Sequence, residues 1–431
     1  MALNLRWVNH ASFVLSDENV RLMSDPWLEG LAFNDGWKLL SPTMFGYDEF
    51  KDITHIWFSH EHPDHFAPLV IKKIPLEYRQ KITVLYQCTI DNKVAEFCKK
   101  QGFKAIIQIY PNDKIKLSEG FTVSCQKVKN DTDSWMLIEA HGKRLLNLND
   151  CHFHREAKRI EKVKKIVGNI DILFTQFSHA RWVGNHDQVE LHKLKAKEQL
   201  EEMKLQIQIL NPSYVVPFAS FVWFCHEENY FMNASINHIG DVYKVIPEWG
   251  NYKPLVFYPN DVWDLSENWN GSKLAIDKYE KDFKNIITSS ELVRSKQITL
   301  NDLQAVAEEF RQRCLKDNNV KKIKALPPFT FYLSDYQQSF KFSYRNGLKD
   351  DNLKAENTDV SLSSQAIWYC FKNDWGFSTL EVSGRFEKPK YGKYFNVENY
   401  RWVADLRNNG KRVPKLPARI FARLKQSISK D

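Results

Sequence analysis

A layered α/β fold, with sheets covered by helices, is what this 431-residue sequence predicts. Three observations carry that expectation. Short runs rich in β-branched and aromatic residues recur up to Asp150, helical stretches fall between some of them, and a strand–helix–strand pattern follows over 170–218. In order, Met1–Val8 reads as a first strand and Ile53–Phe58 as a buried one, with Ile82–Tyr86 next. Asp91–Lys100 reads as a helix that stops ahead of Gly102. Phe121–Cys125, Trp135–Glu139 and Arg144–Leu148 read as strands separated by turns. Ile170–Phe174 is a further buried strand, Glu190–Leu210 a long amphipathic helix closed by Pro212, and Tyr214–Phe218 a strand again.

The polar stretch Ser266–Lys284 has few strand candidates and is read as a junction between two domains, 1–264 and 285–431. In the second, smaller domain, Thr299 caps a helix to Lys316 whose Leu303, Val306, Phe310 and Cys314 share a face. Phe329–Tyr332 and Ser339–Tyr344 read as a hairpin, Ser361–Phe371 as a helix and Thr379–Phe386 as a strand, giving an α+β domain with no histidine.

With 43% hydrophobic and 26% charged residues the chain is expected to pack a core rather than remain disordered. Seven cysteines without a CxxC pair, behind an N-terminus that reads as a strand and not a signal sequence, predict reduced thiols and a cytoplasmic location. No apolar run reaches the roughly 20 residues that span a bilayer. The net charge of +8 favours a small anionic substrate. Part of it is a basic stretch, Lys411, Arg412, Lys415, Arg419, Arg423 and Lys425, read as a solvated tail, and without an RNA- or DNA-binding motif no nucleic-acid partner is expected.

Chemistry concentrates in Ser59-His60-Glu61-His62-Pro63-Asp64-His65, directly after the strand Ile53–Phe58. Three imidazoles and a carboxylate this close repel as cations unless a metal takes their lone pairs, and a loop stiffened by Pro63 holds them open to substrate. A catalytic centre with two metals needs ligands from further strand ends. Asp150 follows Arg144–Leu148, although an Asp there is also a common turn former. His226 follows the apolar run Phe218–Cys225.

His-x-His-x-Asp-His, then Asp, then His, each after a strand, resembles the metallo-β-lactamase superfamily over residues 1 to 262. The resemblance implies an αβ/βα sandwich with a dinuclear site at one edge. It assigns His60 and His62 to one metal, Asp64 and His65 to the other, Asp150 to a bridge, and His226 to completing the second site. The superfamily's third histidine for the first metal has no counterpart: His141 sits in an apparent hairpin turn, and the matching strand edge carries Asp131-Thr132-Asp133. One of these carboxylates, Asp131 ahead of Asp133, is read as the replacement, and both also suit a solvent-exposed turn.

Asn9–Val14, Asp25–Trp37, Ser59–Phe66, Leu148–Cys151 and Pro217–Phe221 narrow the likeness to CMP-N-acetylneuraminate hydroxylase, an iron-dependent monooxygenase family with a Rieske domain. A Rieske cluster needs Cys-x-His and Cys-x-x-His pairs, and only Cys151-His152-Phe153-His154 is offered here, so no internal cluster and a separate electron donor are expected. Near Gly376–Leu380 and Ser383–Phe386 the C-terminal domain resembles small sterol-carrier-like domains.

Two mechanisms fit these ligands. As a hydrolase, two zinc ions acidify water and polarise a carbonyl or phosphoryl oxygen while Asp64 or Asp150 orients the nucleophile. As an oxygenase, two irons activate O2, and a carboxylate in place of a histidine shifts preference from zinc towards iron. A carboxylate at this point also resembles a lactamase-fold diiron hydroxylase without a Rieske domain. The ligand set places iron ahead of zinc. His10 and Asp25 are read as residues that orient a metal-bound imidazole or cap a turn. Trp27, Phe33 and Trp37 suit a pocket wall or a core. His179 and Arg181, after the strand Ile170–Phe177, are the candidates for gripping an anion.

Overall fold

The computed structural model describes residues 2–89, 91–128 and 133–413. Asp131 and the basic positions Lys415 to Lys425 lie outside the described residues. The chain forms two compact units, one of residues 1–183, 189–225 and 230–292, the other of 184–188, 226–229 and 293–431.

In the first unit two seven-stranded sheets face each other. One runs Val262–Asp264, Asn4–Asn9, Ser12–Ser16, Arg21–Ser24, His55–Phe58, Thr83–Gln87 and Ala105–Ile109, antiparallel at its first strands and parallel from Arg21–Ser24 onward. The other runs Lys253–Pro254, Tyr214–Phe218, Ile172–Gln176, Lys143–Asn147, Ser134–Ala140, Phe121–Lys127 and Ile115–Ser118, parallel over its first four strands. Inward side chains of the two sheets interdigitate, because each strand alternates its side chains between two faces. Phe13 stacks on Phe174 at 4.8 Å, and Trp7 meets Phe218 edge-on at 5.4 Å. The helix Val189–Leu210 buries Met203, Ile207 and Leu210, and Ala157–Val167 buries Ile160, Val163 and Val167, against the outside of the second sheet. This is the αβ/βα sandwich.

Two sequence readings are corrected. The stretch read as a junction forms the helix Ser272–Ser289, which belongs to the first unit: Tyr279 is buried, accepts a hydrogen bond from Trp7 Nε1 at 3.2 Å and stacks on Phe221 at 4.4 Å. Its apolar positions Ala275, Ile276, Tyr279 and Ile286 are spaced as a helix stripe, which a polar average conceals. In the second unit Thr379–Phe386 is not a strand, since Gly376–Ser383 is helical and buries Phe377, Leu380 and Ser383 at intervals of three. Gly384 ends it in the left-handed conformation (φ +68°) that suits glycine. The strands Phe329–Leu333 and Gln338–Ser343 pair antiparallel as expected, inside a four-stranded sheet. Thr299 caps Leu300–Asp317 by accepting from Asp302 N–H at 3.1 Å. Among the described residues no helix is long and apolar enough to cross a membrane.

Candidate metal centre

The first sheet ends its strand His55–Phe58 at the His60–His65 loop, and that loop is pinned from several sides. Ser59 carbonyl accepts from Gln87 Nε2 (2.9 Å), at the end of the neighbouring strand, and from Ser134 Oγ (2.6 Å), in the opposite sheet. Backbone N–H groups of His65 and Phe66 both donate to His62 carbonyl, a tight turn that brings Asp64 and His65 back towards His60. Asp150 comes from the second sheet. Beyond the strand Lys143–Asn147, Asn149 adopts a left-handed φ of +56°, its N–H donates to Asn147 Oδ1 and its Nδ2 to Asp25 Oδ2, each at 2.9 Å. Buried Glu202, from the helix Val189–Leu210, accepts from Phe153 N–H at 2.7 Å and holds the following turn.

Ring orientations follow from what each partner can do. Asp25 carboxylate can only accept, so His65 Nδ1, at 2.9 Å, donates to it and His65 Nε2 keeps a lone pair. Ser59 Oγ also donates to Asp25 (2.7 Å), so the same oxygen accepts from His60 Nδ1 at 2.9 Å, and His60 Nε2 keeps its lone pair too. One buried carboxylate therefore fixes two imidazoles, one directly and one through Ser59. Asp25 itself holds a strained backbone, φ +33°, as does His10 at +37°.

The free faces of these rings converge. His60 Nε2 lies 2.8 Å from His62 Nδ1, 3.5 Å from Asp133 Oδ1 and 3.7 Å from Asp150 Oδ2. His65 Nε2 lies 3.4 Å from Asp64 Oδ2 and 3.5 Å from Asp150 Oδ2. His10 Nε2 lies 3.3 Å from Asp64 Oδ2. Three groups have ligand atoms within 4.8 Å of one another: His60, His62 and Asp133; His60, His65 and Asp150; His10, Asp64 and His65. Asp150 sits between the other two. His65 Nε2, Asp64 Oδ1 and Asp150 Oδ1 are buried without a hydrogen-bond partner, the condition a bound cation relieves. The residues present thus fit two metal ions.

Electrostatics agree. Burial opposes the charged carboxylate of Asp64, but His65 and His10 outweigh it and hold its pKa well below the usual range. Burial likewise opposes ionisation of Asp150, and His60 and His65 reverse the sign. Burial drives the His60 pKa well down, while at His65 the carboxylates Asp64, Asp150 and Asp25 overcome burial and raise it. Of His60 and His65 only His65 is held cationic, against the carboxylates Asp25, Asp64 and Asp150, and a cation in the middle would displace its Nε2 proton and restore the balance. Trp27 lies edge-on to His10 (5.6 Å) and Phe33 to His62 (5.7 Å). With Trp37, both aromatics are buried and form an apolar wall behind the rings.

His226, assigned from the sequence to completing the second site, is in none of these three groups. Its ring lies in the second unit, with Nε2 3.0 Å from Ser295 Oγ and Nδ1 accepting from Glu228 N–H at 3.2 Å. The reason is local. Phe218–Cys225 is not one strand: it breaks at Ala219, φ +48°, and Val222–Phe224 pairs instead with Trp37–Leu39 in a separate small sheet. His179 is buried, stacks on Phe224 at 5.6 Å and has Nε2 3.2 Å from Ser235 Oγ, and burial lowers its pKa to about 4, so it offers a neutral ring. Arg181 is exposed and close enough to His152 to help burial push that imidazole down to about 3. His141 is in a hairpin turn, as its sequence suggested, 2.8 Å from Asp17. Ser59, Asn149 and Glu202 escaped the sequence reading, and only Glu202, a carboxylate on the buried side of an amphipathic helix, carried a signal there.

Residues 4–219 match the family described as beta-lactamase superfamily domain, half of the chain. The protein belongs to the beta-lactamase superfamily. Among curated members, the cytidine monophosphate-N-acetylneuraminic acid hydroxylase of Xenopus laevis is 23% identical over 304 residues, 65% of this chain and 51% of that protein. The mouse enzyme of the same name is 23% identical over 242 residues, 54% of this chain and 41% of that one. This superfamily member therefore spans about half the length of such relatives. Similar solved structures include CmlA, a diiron beta-hydroxylase from Streptomyces venezuelae (13% identity, TM-score 0.41, 61% of this chain and 54% of that chain). They also include an isothiocyanate hydrolase from Delia radicum gut bacteria (13%, TM-score 0.43, 61% and 99%).

Proposed function

We propose that the protein is a dinuclear iron oxygenase that hydroxylates a small anionic compound. His60, His62 and Asp133 would hold one metal and Asp64 and His65 the other, with Asp150 available to both. The observation that carries the reading is Asp133. Its carboxylate lies 3.5 Å from His60 Nε2, which supports reading it as the counterpart of the lactamase pattern's third histidine. A hard anionic oxygen donor favours iron and its higher oxidation states over zinc. The curated relatives being named hydroxylases supports the same direction.

Two irons bound here would supply activation of O2 for insertion of one oxygen atom into a C–H bond. The chain's own residues do the rest. Asp25, directly and through Ser59, keeps the lone pairs of His65 and His60 turned inward. Trp27 and Phe33 exclude water from behind the ligands. Arg181 presents an exposed cation near His152 for the substrate's negative charge, with neutral His179 as a hydrogen-bonding group. Electrons come from a separate donor protein.

The test is elemental analysis of protein purified from cells grown without added metal, followed by Mössbauer spectroscopy of iron-57 material. About two irons per chain as a coupled pair is the expected result. Two zincs and no iron would overturn the oxygenase and redirect the search to hydrolysis of esters, amides or phosphodiesters.

A further inference from the structure

From the geometry we infer that His10 is a ligand of the second metal and completes the site in place of His226. This rests on the dinuclear reading above and adds to it. His10 sits in the turn between Asn4–Asn9 and Ser12–Ser16, far in sequence from the ligand loop. Its ring is 1% exposed, its Nε2 is 3.3 Å from Asp64 Oδ2, and its ring centre is 5.7 Å from that of His65. His10, Asp64 and His65 each offer a ligand atom within 4.8 Å of the other two. Nδ1 of His10 is buried without a partner, so nothing in the protein fixes the ring through its far nitrogen, and the contact at Nε2 orients it.

The backbone shows why this position falls to His10. Where the strand Tyr214–Phe218 ends, Ala219 N–H donates to His10 carbonyl at 3.1 Å. The strand end from which a late histidine would be presented is therefore occupied by the turn that carries His10. A histidine with φ +37° is an uncommon and costly conformation, kept where the surroundings over-determine it. Asn9 supplies part of that determination, its Oδ1 accepting from His10 N–H at 2.9 Å and its Nδ2 donating to Ser41 carbonyl at 2.9 Å. The second metal is then held by His10, Asp64 and His65, with Asp150 between the sites.

The test compares cobalt binding by the wild-type chain, His10→Asn, His10→Ala and His226→Ala. Asparagine tolerates the left-handed turn, yet its side chain is too short to place an atom where Nε2 lies. The wild type should take up two cobalt ions per chain. Both His10 variants should keep the first equivalent and bind the second at least about tenfold more weakly, whereas His226→Ala should bind both normally. Should the His10 variants fail to fold, paramagnetic NMR of the cobalt-loaded wild type decides. Hyperfine-shifted signals from four imidazoles (His10, His60, His62 and His65) are expected, and three without His10 would overturn the inference. Retention of both cobalt ions at wild-type affinity by His10→Asn would overturn it as well. Failure of the wild type to bind a metal pair would instead overturn the dinuclear reading.

Discussion

Each unit of this protein buries a cluster of histidine and charged groups, and the two differ in what is left unspent. In the first, His65 Nε2, Asp64 Oδ1 and Asp150 Oδ1 are enclosed with no hydrogen-bond partner. In the second, fully buried Arg385 donates from Nε to Glu228 at 2.7 Å and from Nη2 to Ser295 Oγ at 2.9 Å. His226 there uses both ring nitrogens, and Asn229 accepts from His226 N–H at 3.1 Å while donating to Ser383 carbonyl at 2.7 Å. Both clusters bury histidine beside a carboxylate, but the second carries its own cation, Arg385, paired with Glu228. An uncommitted lone pair distinguishes a place for a metal from a structural network, because a buried polar group without a partner is costly unless something absent from the chain satisfies it. Because Nδ1 of His226 accepts a backbone proton, Nε2 carries the ring hydrogen and donates to Ser295, so the Ser–His pair cannot act as nucleophile and base.

The comparison breaks most visibly at the ligands. Asp150→Ala should abolish metal retention and turnover, and His62→Ala should lose the first metal and turnover, both with an unchanged far-ultraviolet circular dichroism spectrum, and a normal metal content in either would remove that residue from the ligand set. Next is Arg385→Ala, which strands Glu228 in the second cluster. It should cost about 3–5 kcal/mol of that unit's stability in denaturant titrations while leaving metal content intact, and loss of metal would show that the second cluster serves the first. Asp25→Asn retains a side chain suited to the positive φ but weakens the anchor of His65 and Ser59. Metal affinity should fall about 10–100-fold, measurable by competition with a chelator.

The smallest effect is expected at a third kind of histidine, satisfied and far from the ligands. His141 holds Asp17 at 2.8 Å, and although burial opposes it, this bond and the N–H groups of Val20 and Asn19 lower the Asp17 pKa below 3.8. A lowered folded pKa stabilises above the unfolded value and is lost as pH falls through the folded one. His141→Asn should therefore cost about 1 kcal/mol at pH 7, and the gap to wild type should close below about pH 4. A gap that widens in acid would contradict the assignment.

Much of this was legible in the sequence, and the rest failed for identifiable reasons. The run His60–His65 is local, so its spacing after a strand was enough. Asp150 was reached from its strand end, and of the two carboxylates weighed as a replacement for a histidine only Asp133 is among the described residues, 3.5 Å from His60. His226 falls outside the three groups, after a break at Ala219 that nothing in an apolar run announces. His10 approaches Asp64 only through the order of the strands, which pairs Ser12–Ser16 with Arg21–Ser24 and that in turn with His55–Phe58. No window of sequence contains that order. The helices Ser272–Ser289 and Gly376–Ser383 were hidden by a polar average and by a two-residue alternation of side chains, respectively, while their buried positions follow helical spacing.

The most direct test of the account is an anaerobic iron(II) titration of metal-free wild type, His62→Ala and His226→Ala, counting bound metal per chain. Two irons are expected for the wild type and for His226→Ala, and one for His62→Ala. Equal losses in His62→Ala and His226→Ala, or no difference among the three proteins, would contradict the distinction between the two clusters.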